Sequence, residues 1–304
     1  MSGMHRYRLN RSAAEKQQGR RTLIQLAAAV VLNGYAVGFF KGRIFTGKTK
    51  LLCVPVLNCY SCPGALGSCP IGALQTVLCG NRHNFSFYVL GTLMLFGVVL
   101  GRLSCGFLCP FGWIQDLLGR MTRKKLNVPR PIDGCMRLLK YLMLIMIVVF
   151  LPLVSNANSV ANPFFCKYIC PAGTLEGSVP HLLLNSELRE LAGPLFAWKL
   201  AVLIVILSGA VFIPRCFCRY LCPLGAFYAL FNRFSLYQME FDKAKCISCQ
   251  RCEQVCPMAI KVTENCNSGE CIRCGKCSAA CPAAAISSGF ANKPFLNKKP
   301  LSEQ

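Results

Sequence analysis

The chain is poor in acid: 12 Asp and Glu stand against 34 Lys and Arg, for a formal net charge of +22. It is poor in charge altogether, at 15% charged against 54% hydrophobic residues. Soluble domains carry about 25%. That balance argues against a soluble globular enzyme and for a protein bedded in lipid. Histidine is scarce: only His5, His83 and His181 are present, none in a recognisable catalytic motif. Haem b held by two histidines is therefore not expected, since it needs them on facing helices. His83 and His181 lie near membrane boundaries and read as solvated or snorkelling residues, with contact to a quinone as the alternative. No long apolar run contains Asp or Glu, which argues against a transporter. The basic excess sits in blocks between apolar runs, as in cytoplasmic loops, so no nucleic-acid partner is expected. An A-x-A cleavage site is missing after the first apolar run, so residues 1–22 read as a basic cytoplasmic segment leading into an anchor.

Cysteine is what the chain has in quantity, 22 of them. They fall in short regular spacings that end in Cys-Pro, which suits iron–sulfur ligation better than disulfides. The clearest pattern is Cys246-x2-Cys249-x2-Cys252-x3-Cys256-Pro257, repeated as Cys271-x2-Cys274-x2-Cys277-x3-Cys281-Pro282. In such a double run three cysteines hold one [4Fe–4S] cluster and the fourth holds the other. The expected sets are Cys246, Cys249, Cys252 and Cys281, and Cys271, Cys274, Cys277 and Cys256. Paired zinc knuckles would use other spacings or histidine. Cys266 is expected to be a spare thiol.

Four apolar runs are long enough to cross a bilayer, which takes about 17–25 residues: 23–40, 85–103, 138–154 and 195–213. Arg6, Arg8, Arg11, Lys16, Arg20 and Arg21 before the first, and Arg120, Arg123, Lys124, Lys125, Arg130 and Arg137 after the second, place both termini in the cytoplasm. The loop 41–84 departs from the rule with Lys41, Arg43, Lys48, Lys50 and Arg82. Arg102, Lys140 and Lys199 sit at span ends, where snorkelling is expected.

The membrane half repeats. Cys69-Pro-Ile-Gly, Cys109-Pro-Phe-Gly, Cys170-Pro-Ala-Gly and Cys222-Pro-Leu-Gly share one form, and Cys105, Cys166 and Cys218 each precede one of them by four residues. The first motif has Cys59 and Cys62 nearby instead. Each motif is read as a loop ending in a helix whose positive N-terminus favours thiolate. Topology sorts the thiols into an inner cluster of Cys105, Cys109, Cys218 and Cys222, and an outer one from four of Cys59, Cys62, Cys69, Cys166 and Cys170. The competing grouping puts each repeat's own cysteines on one cluster. Cys53, Cys79, Cys135 and Cys216 have no assigned role, although Cys216 could replace Cys218. Trp113 and Trp198 read as interface anchors.

The expected fold is an α-helical membrane protein of four transmembrane helices in two pseudo-symmetric repeats, followed by a small α+β two-[4Fe–4S] ferredoxin domain. The expected parts are 1–22, basic; 23–235, membrane, with repeats of about 23–125 and 135–235; 240–290, ferredoxin; and 291–304, a polar tail. Such a chain is an electron-transfer subunit rather than a stand-alone enzyme. A cluster-based redox sensor or an assembly factor for a membrane reductase is the alternative.

GRLSCGFLCPFG (101–112) and PRCFCRYLCPLG (214–225), together with the terminal two-cluster run, resemble the NapH/NosR group of membrane polyferredoxins over roughly 50–282. The resemblance implies a cytoplasmic membrane in a bacterium or archaeon and transfer between the quinol pool or a cytoplasmic ferredoxin and a reductase outside the membrane. It implies two cytoplasmic cysteine pairs, Cys105/Cys109 and Cys218/Cys222. Partners would be other subunits of a redox complex, with an external flavin or c-type cytochrome protein. NosR-type members carry an external flavin domain that this chain lacks, so flavin, like quinone, would come through a partner.

Overall fold

Glycine and proline cut the apolar sequence into helices, and the cysteines lie in the loops between them. The structure, a computed structural model, describes residues 2–80, 86–122, 124–126, 128–157, 162–185, 189–190 and 193–290, with backbone alone at 2–14 and 156–157. Arg82, His83, Arg123 and the tail 291–304 lie outside the described residues.

The chain forms two compact units. The first takes the described residues of Met1–Gln25, Met94–Phe107 and Tyr228–Gln304; the second takes Leu26–Leu93 and Leu108–Phe227.

Two helices, Arg130–Ser155 and Pro194–Phe212, are long and apolar enough to cross a membrane. Only 28% and 17% of their most apolar stretches are buried, so their greasy faces point outward rather than into a protein core. The first contains the expected span 138–154, and the second matches the expected 195–213 to within a residue at each end. The middle of the first, Met143–Phe150, widens to a π-helical turn just before Pro152, which has no N–H to give the ladder.

The other two expected spans are corrected. The run 23–40 is not one helix. Helix Ser2–Leu32 carries straight through the basic segment and stops at Leu32. There the chain turns to bond the first cysteine loop: Leu66 N–H donates to Leu32 O at 2.9 Å and Tyr35 N–H to Gly64 O at 3.1 Å. A short helix, Val37–Lys41, follows. The ten residues from Leu23 to Leu32 rise about 15 Å, half of a hydrocarbon core. The run 85–103 shortens to Phe87–Leu100, about 21 Å of helix. Gly101 ends it in the left-handed conformation, φ +57°, its N–H donating to Gly97 O at 2.9 Å. Both short pieces still expose apolar side chains, Leu23, Val30, Val31, Phe87 and Leu95 among them.

In the first unit, strand β1 (Tyr237–Phe241) pairs antiparallel with β2 (Ile286–Phe290), Met239 opposite Ser288. Two short helices, Arg251–Gln254 and Lys276–Ala280, pack together beside it. In the second unit, Arg215 at φ +52° makes a two-pronged ion pair with Asp116, at 3.0 and 2.7 Å. Asp133 gathers Arg137, Arg219 and the Tyr220 hydroxyl. These pairs fasten helices Pro110–Met121 and Arg130–Leu142 to the turn Cys216–Tyr220.

Candidate iron–sulfur sites

The four Cys-Pro-x-Gly motifs do start helices. Proline fits the first helical turn because its missing N–H has no partner to lose there. Cys109 precedes Pro110–Met121 in extended conformation, and its Sγ accepts the Gly112 N–H at 3.4 Å. Gly173 N–H donates to Cys170 Sγ at 3.5 Å and Gly225 N–H to Cys222 Sγ at 3.4 Å. Spacing thus binds each sulfur to the backbone three residues on, satisfying one open N–H of the helix.

In the second unit, Cys59, Cys69, Cys166 and Cys170 line one cavity of about 610 Å³. The motif glycines make room for them. A Cβ on Gly173 would stand 3.3 Å from Cys59 Sγ and 3.9 Å from Cys170 Sγ, and one on Gly72 would stand 3.6 Å from Cys166 Sγ. Cys62 is beside the cavity rather than in its lining: a Cβ on the lining residue Gly177 would stand 4.0 Å from Cys62 Cβ and 3.9 Å from Cys59 Sγ, and Cys62 Sγ donates to the Glu176 carbonyl at 3.1 Å.

Two glutamines missed in the sequence set this pairing. Gln75 and Gln115 are fully buried, and each lies six residues after a motif cysteine, which is the signal that could have found them. Gln75 Oε1 accepts the Cys166 N–H at 3.3 Å. Gln115 Oε1 accepts the Phe217 N–H at 3.1 Å while its Nε2 donates to Cys218 Sγ at 3.2 Å. Phe111 and Phe217 meet edge-to-face at 5.2 Å beside it. The Cys69 motif thus faces the Cys166–Cys170 motif, and the Cys109 motif faces Cys218–Cys222. The geometry favours mixed sets over one set per repeat.

Burial, not the helix end, governs the free thiols. It pushes Cys69 up to about 11 against the N–H groups of Gly72, Asn58 and Ile71, and raises Cys59, Cys166 and Cys170 as well. The backbone N–H groups at the helix start favour the charged form of Cys69, as expected, and desolvation opposes them. Lys199 lines the same cavity and attracts Cys59 and Cys166 in their charged form. It is a cation at the site, where the sequence suggests a snorkelling residue. Lys50 donates to Ala65 O at 3.0 Å in the cysteine loop. His181 also lines the cavity, with a buried Nδ1 that finds no partner among the described residues.

In the first unit, Cys256, Cys266, Cys271, Cys274 and Cys277 line a small cavity. Four of these, all but Cys266, are the cysteines that the spacing groups together. Both cysteine runs fold alike. Ser248 and Gln250 in one, Arg273 and Gly275 in the other, all have positive φ, as do Ala259 and Ala284, each three residues past a Cys-Pro cysteine. Cys271 is pushed up to about 12 by burial. Of the other set, Cys252 is buried, Cys246 and Cys281 are half-buried and Cys249 is exposed. Cys266 Sγ donates to Met239 O at 3.3 Å. Cys53 is buried where its strand bridges Ser68, Cys216 packs on Gly209, and Cys135 is exposed.

These donor sets fit [4Fe–4S] clusters. No three His, Cys, Asp or Glu among the described residues converge on a single metal ion. A cluster is a larger guest, with one thiolate per iron corner. All-sulfur ligands, N–H groups aimed at sulfur and glycines where a Cβ would crowd the thiols meet its needs.

Fold and sites together define an iron–sulfur electron-transfer protein. Residues 84–129, 141–179 and 195–237 match a family described as a 4Fe-4S binding domain, and 238–282 one described as a 4Fe-4S dicluster domain. The chain is 33% identical to the Methanocaldococcus jannaschii protein MJ0750 over 67% of its own length and 79% of that protein. It is 25% identical to the putative electron transport protein YccM of Escherichia coli, covering 59% of this chain and 48% of YccM. It is 27% identical to the ferredoxin-type protein NapH of Haemophilus influenzae, covering 55% and 52%. The chain thus spans about half the length of YccM and of NapH. It belongs to the NapH/NosR-type polyferredoxins, and it binds [4Fe–4S] clusters. No solved structure matches it. Cys59, Cys62 and Cys69 lie outside both matched families.

Proposed function

We propose that this chain is the membrane subunit of a redox complex and relays single electrons between a cytoplasmic ferredoxin or the quinol pool and a partner at the other membrane face. Four sites would carry the relay. The ferredoxin region would hold two, on Cys246, Cys249, Cys252 and Cys281 and on Cys271, Cys274, Cys277 and Cys256. Cys59, Cys69, Cys166 and Cys170 would hold the outer site, with Cys62 left as a thiol. Cys105, Cys109, Cys218 and Cys222 would hold the inner one, by the repeated spacing of the sequence. Both termini lie in the cytoplasm in this reading, and lipid faces the two long apolar helices.

The observation that carries the reading is the convergence of four thiols from distant segments on one cavity. Chance thiols have no reason to face one another across glycines. Bound clusters supply one-electron redox chemistry at potentials set by charge, hydrogen bonds and burial. The chain's own part is to hold them, keep water from the buried sets and place cations such as Lys199 beside them.

Iron and acid-labile sulfide per chain, measured on anaerobically purified protein with EPR during reductive titration, test this. About 16 irons are expected, for four [4Fe–4S] centres. About 8 would mean that only the ferredoxin region is filled, and the chain would be an anchored ferredoxin.

A further inference from the structure

The two cysteine runs of the ferredoxin region fold alike, yet their surroundings differ sharply. In the Cys246 run, Cys249 is exposed, and Ile247 between the first two cysteines is 63% exposed. In the Cys271 run, Cys271, Ile272, Arg273 and Cys274 are all buried. What buries them is, in part, the segment around Cys105, which belongs to the same unit.

There the two backbones touch. Gly106 follows Cys105 directly, and a Cβ on it would stand 2.4 Å from the Ile272 carbonyl oxygen and 3.9 Å from Cys274 Cα. Only glycine permits that approach. A frame of buried polar groups holds it in register. Asn232 Nδ2 donates to Ser268 O at 2.7 Å and to Cys271 O at 2.9 Å, and its Oδ1 accepts the Arg102 N–H at 3.1 Å. Arg102 Nη1 donates to Gly269 O and to Glu270, each at 3.0 Å. Arg273 reaches back to Leu100 O at 3.2 Å and Ser235 Oγ at 2.5 Å. Gln25 Nε2 donates to the Gly106 carbonyl at 3.0 Å. So many buried bonds on one loop contact fix a distance, which is what electron tunnelling needs, since its rate falls exponentially with separation.

We propose that the ferredoxin region is wired in one order: the Cys256/Cys271/Cys274/Cys277 site is the junction to the membrane half through Cys105–Gly106, and the Cys246/Cys249/Cys252/Cys281 site is the outer terminus that meets a soluble one-electron carrier. This rests on the reading that Cys105 is a cluster ligand. In each hop one electron leaves one site and enters the next, so one is oxidised as the other is reduced, and no bond is made or broken. The order holds for flow in either direction. The spacing of the two runs is identical, so spacing alone does not order them.

Three full-chain variants, Cys249→Ala, Cys274→Ala and Gly106→Val, test the order, with iron content as the control for folding. The readout is magnetic coupling. In the dithionite-reduced wild type, the EPR signal of the membrane site should be broadened and relax faster because a second reduced centre is near. Cys249→Ala should keep that broadening, and Cys274→Ala should abolish it. Gly106→Val, with wild-type iron, should slow reduction of the membrane site by a dithionite-reduced soluble ferredoxin at least tenfold, while the ferredoxin sites fill at the wild-type rate. Broadening lost in Cys249→Ala, or kept in Cys274→Ala, overturns the order and leaves the four-site reading standing. So does wild-type transfer in Gly106→Val. A wild-type content of about 8 irons overturns the four-site reading and this inference together.

Discussion

Replacing Arg102 with alanine asks how much of the ferredoxin region's stability rests on one buried ion pair. The Arg102 side chain is 0% exposed and that of Glu270 11%. Nη1 bonds both the Glu270 carboxylate and the Gly269 carbonyl, each at 3.0 Å. Alanine removes both bonds at once, strips Glu270 of this guanidinium and leaves Gly269 O without this donor. Removing one partner of a buried pair costs about 3–5 kcal/mol. A domain of this size has about 5–15 kcal/mol in all, so R102A should lose about a fifth or more of its margin. The assay is guanidinium titration of the anaerobic full chain in detergent, followed by the visible absorbance of the clusters. R102A should bleach at a clearly lower midpoint. R102M with E270Q should recover much of the loss, because no charge is then stranded. A midpoint for R102A within about 1 kcal/mol of wild type, or a double variant whose loss is the sum of the singles, would refute the reasoning.

Other outcomes follow from the outer site. Alanine at Cys59, Cys69, Cys166 or Cys170 should each remove about four irons per chain, whereas Cys62→Ala should remove none; iron assay with sulfide decides it. Lys199→Met takes a positive charge from the cavity, so the outer site's midpoint potential in an EPR redox titration should fall, shifting its reduced fraction about tenfold, or 59 mV for one electron, while the ferredoxin potentials stay put. Gln115→Leu leaves the buried Phe217 N–H without its acceptor, about 1–3 kcal/mol, and should lower the thermal midpoint of cluster loss more than Gln238→Leu on the surface does. Stripping iron with a chelator and oxidant should unfold the ferredoxin region, whose apolar core is small for its length. Proteolysis between Tyr237 and Phe290 in the stripped form, and resistance in the loaded one, is the expected pattern.

Two features of the sequence misled for instructive reasons. The run 23–40 is apolar enough for a span, but hydropathy is blind to what backbone N–H and C=O groups bond. The Leu32 and Tyr35 backbones bond the Gly64–Leu66 loop, and the helix stops. Lys199 and Arg102 look like snorkelling residues at span ends because position along the chain is all that sequence shows. One lines the thiol cavity and the other is buried against Glu270. The basic loop 41–84, odd for its side of the membrane, loses part of its oddity because Lys50 is bonded into the cysteine loop.

The chemistry is legible in the order of residues alone. Thiolate is the ligand, two-residue gaps wrap a cluster corner by corner, and Cys-Pro-x-Gly starts a helix with its sulfur on the backbone. All of these are local, set within about ten residues by covalent spacing and turn geometry. Packing sets which segments meet. It brings the motifs together across repeats through Gln75 and Gln115, and lays Gly106 against Ile272. Those are contacts between segments far apart in the chain, selected by packing and by the need to satisfy every buried polar group. No spacing along a sequence encodes them.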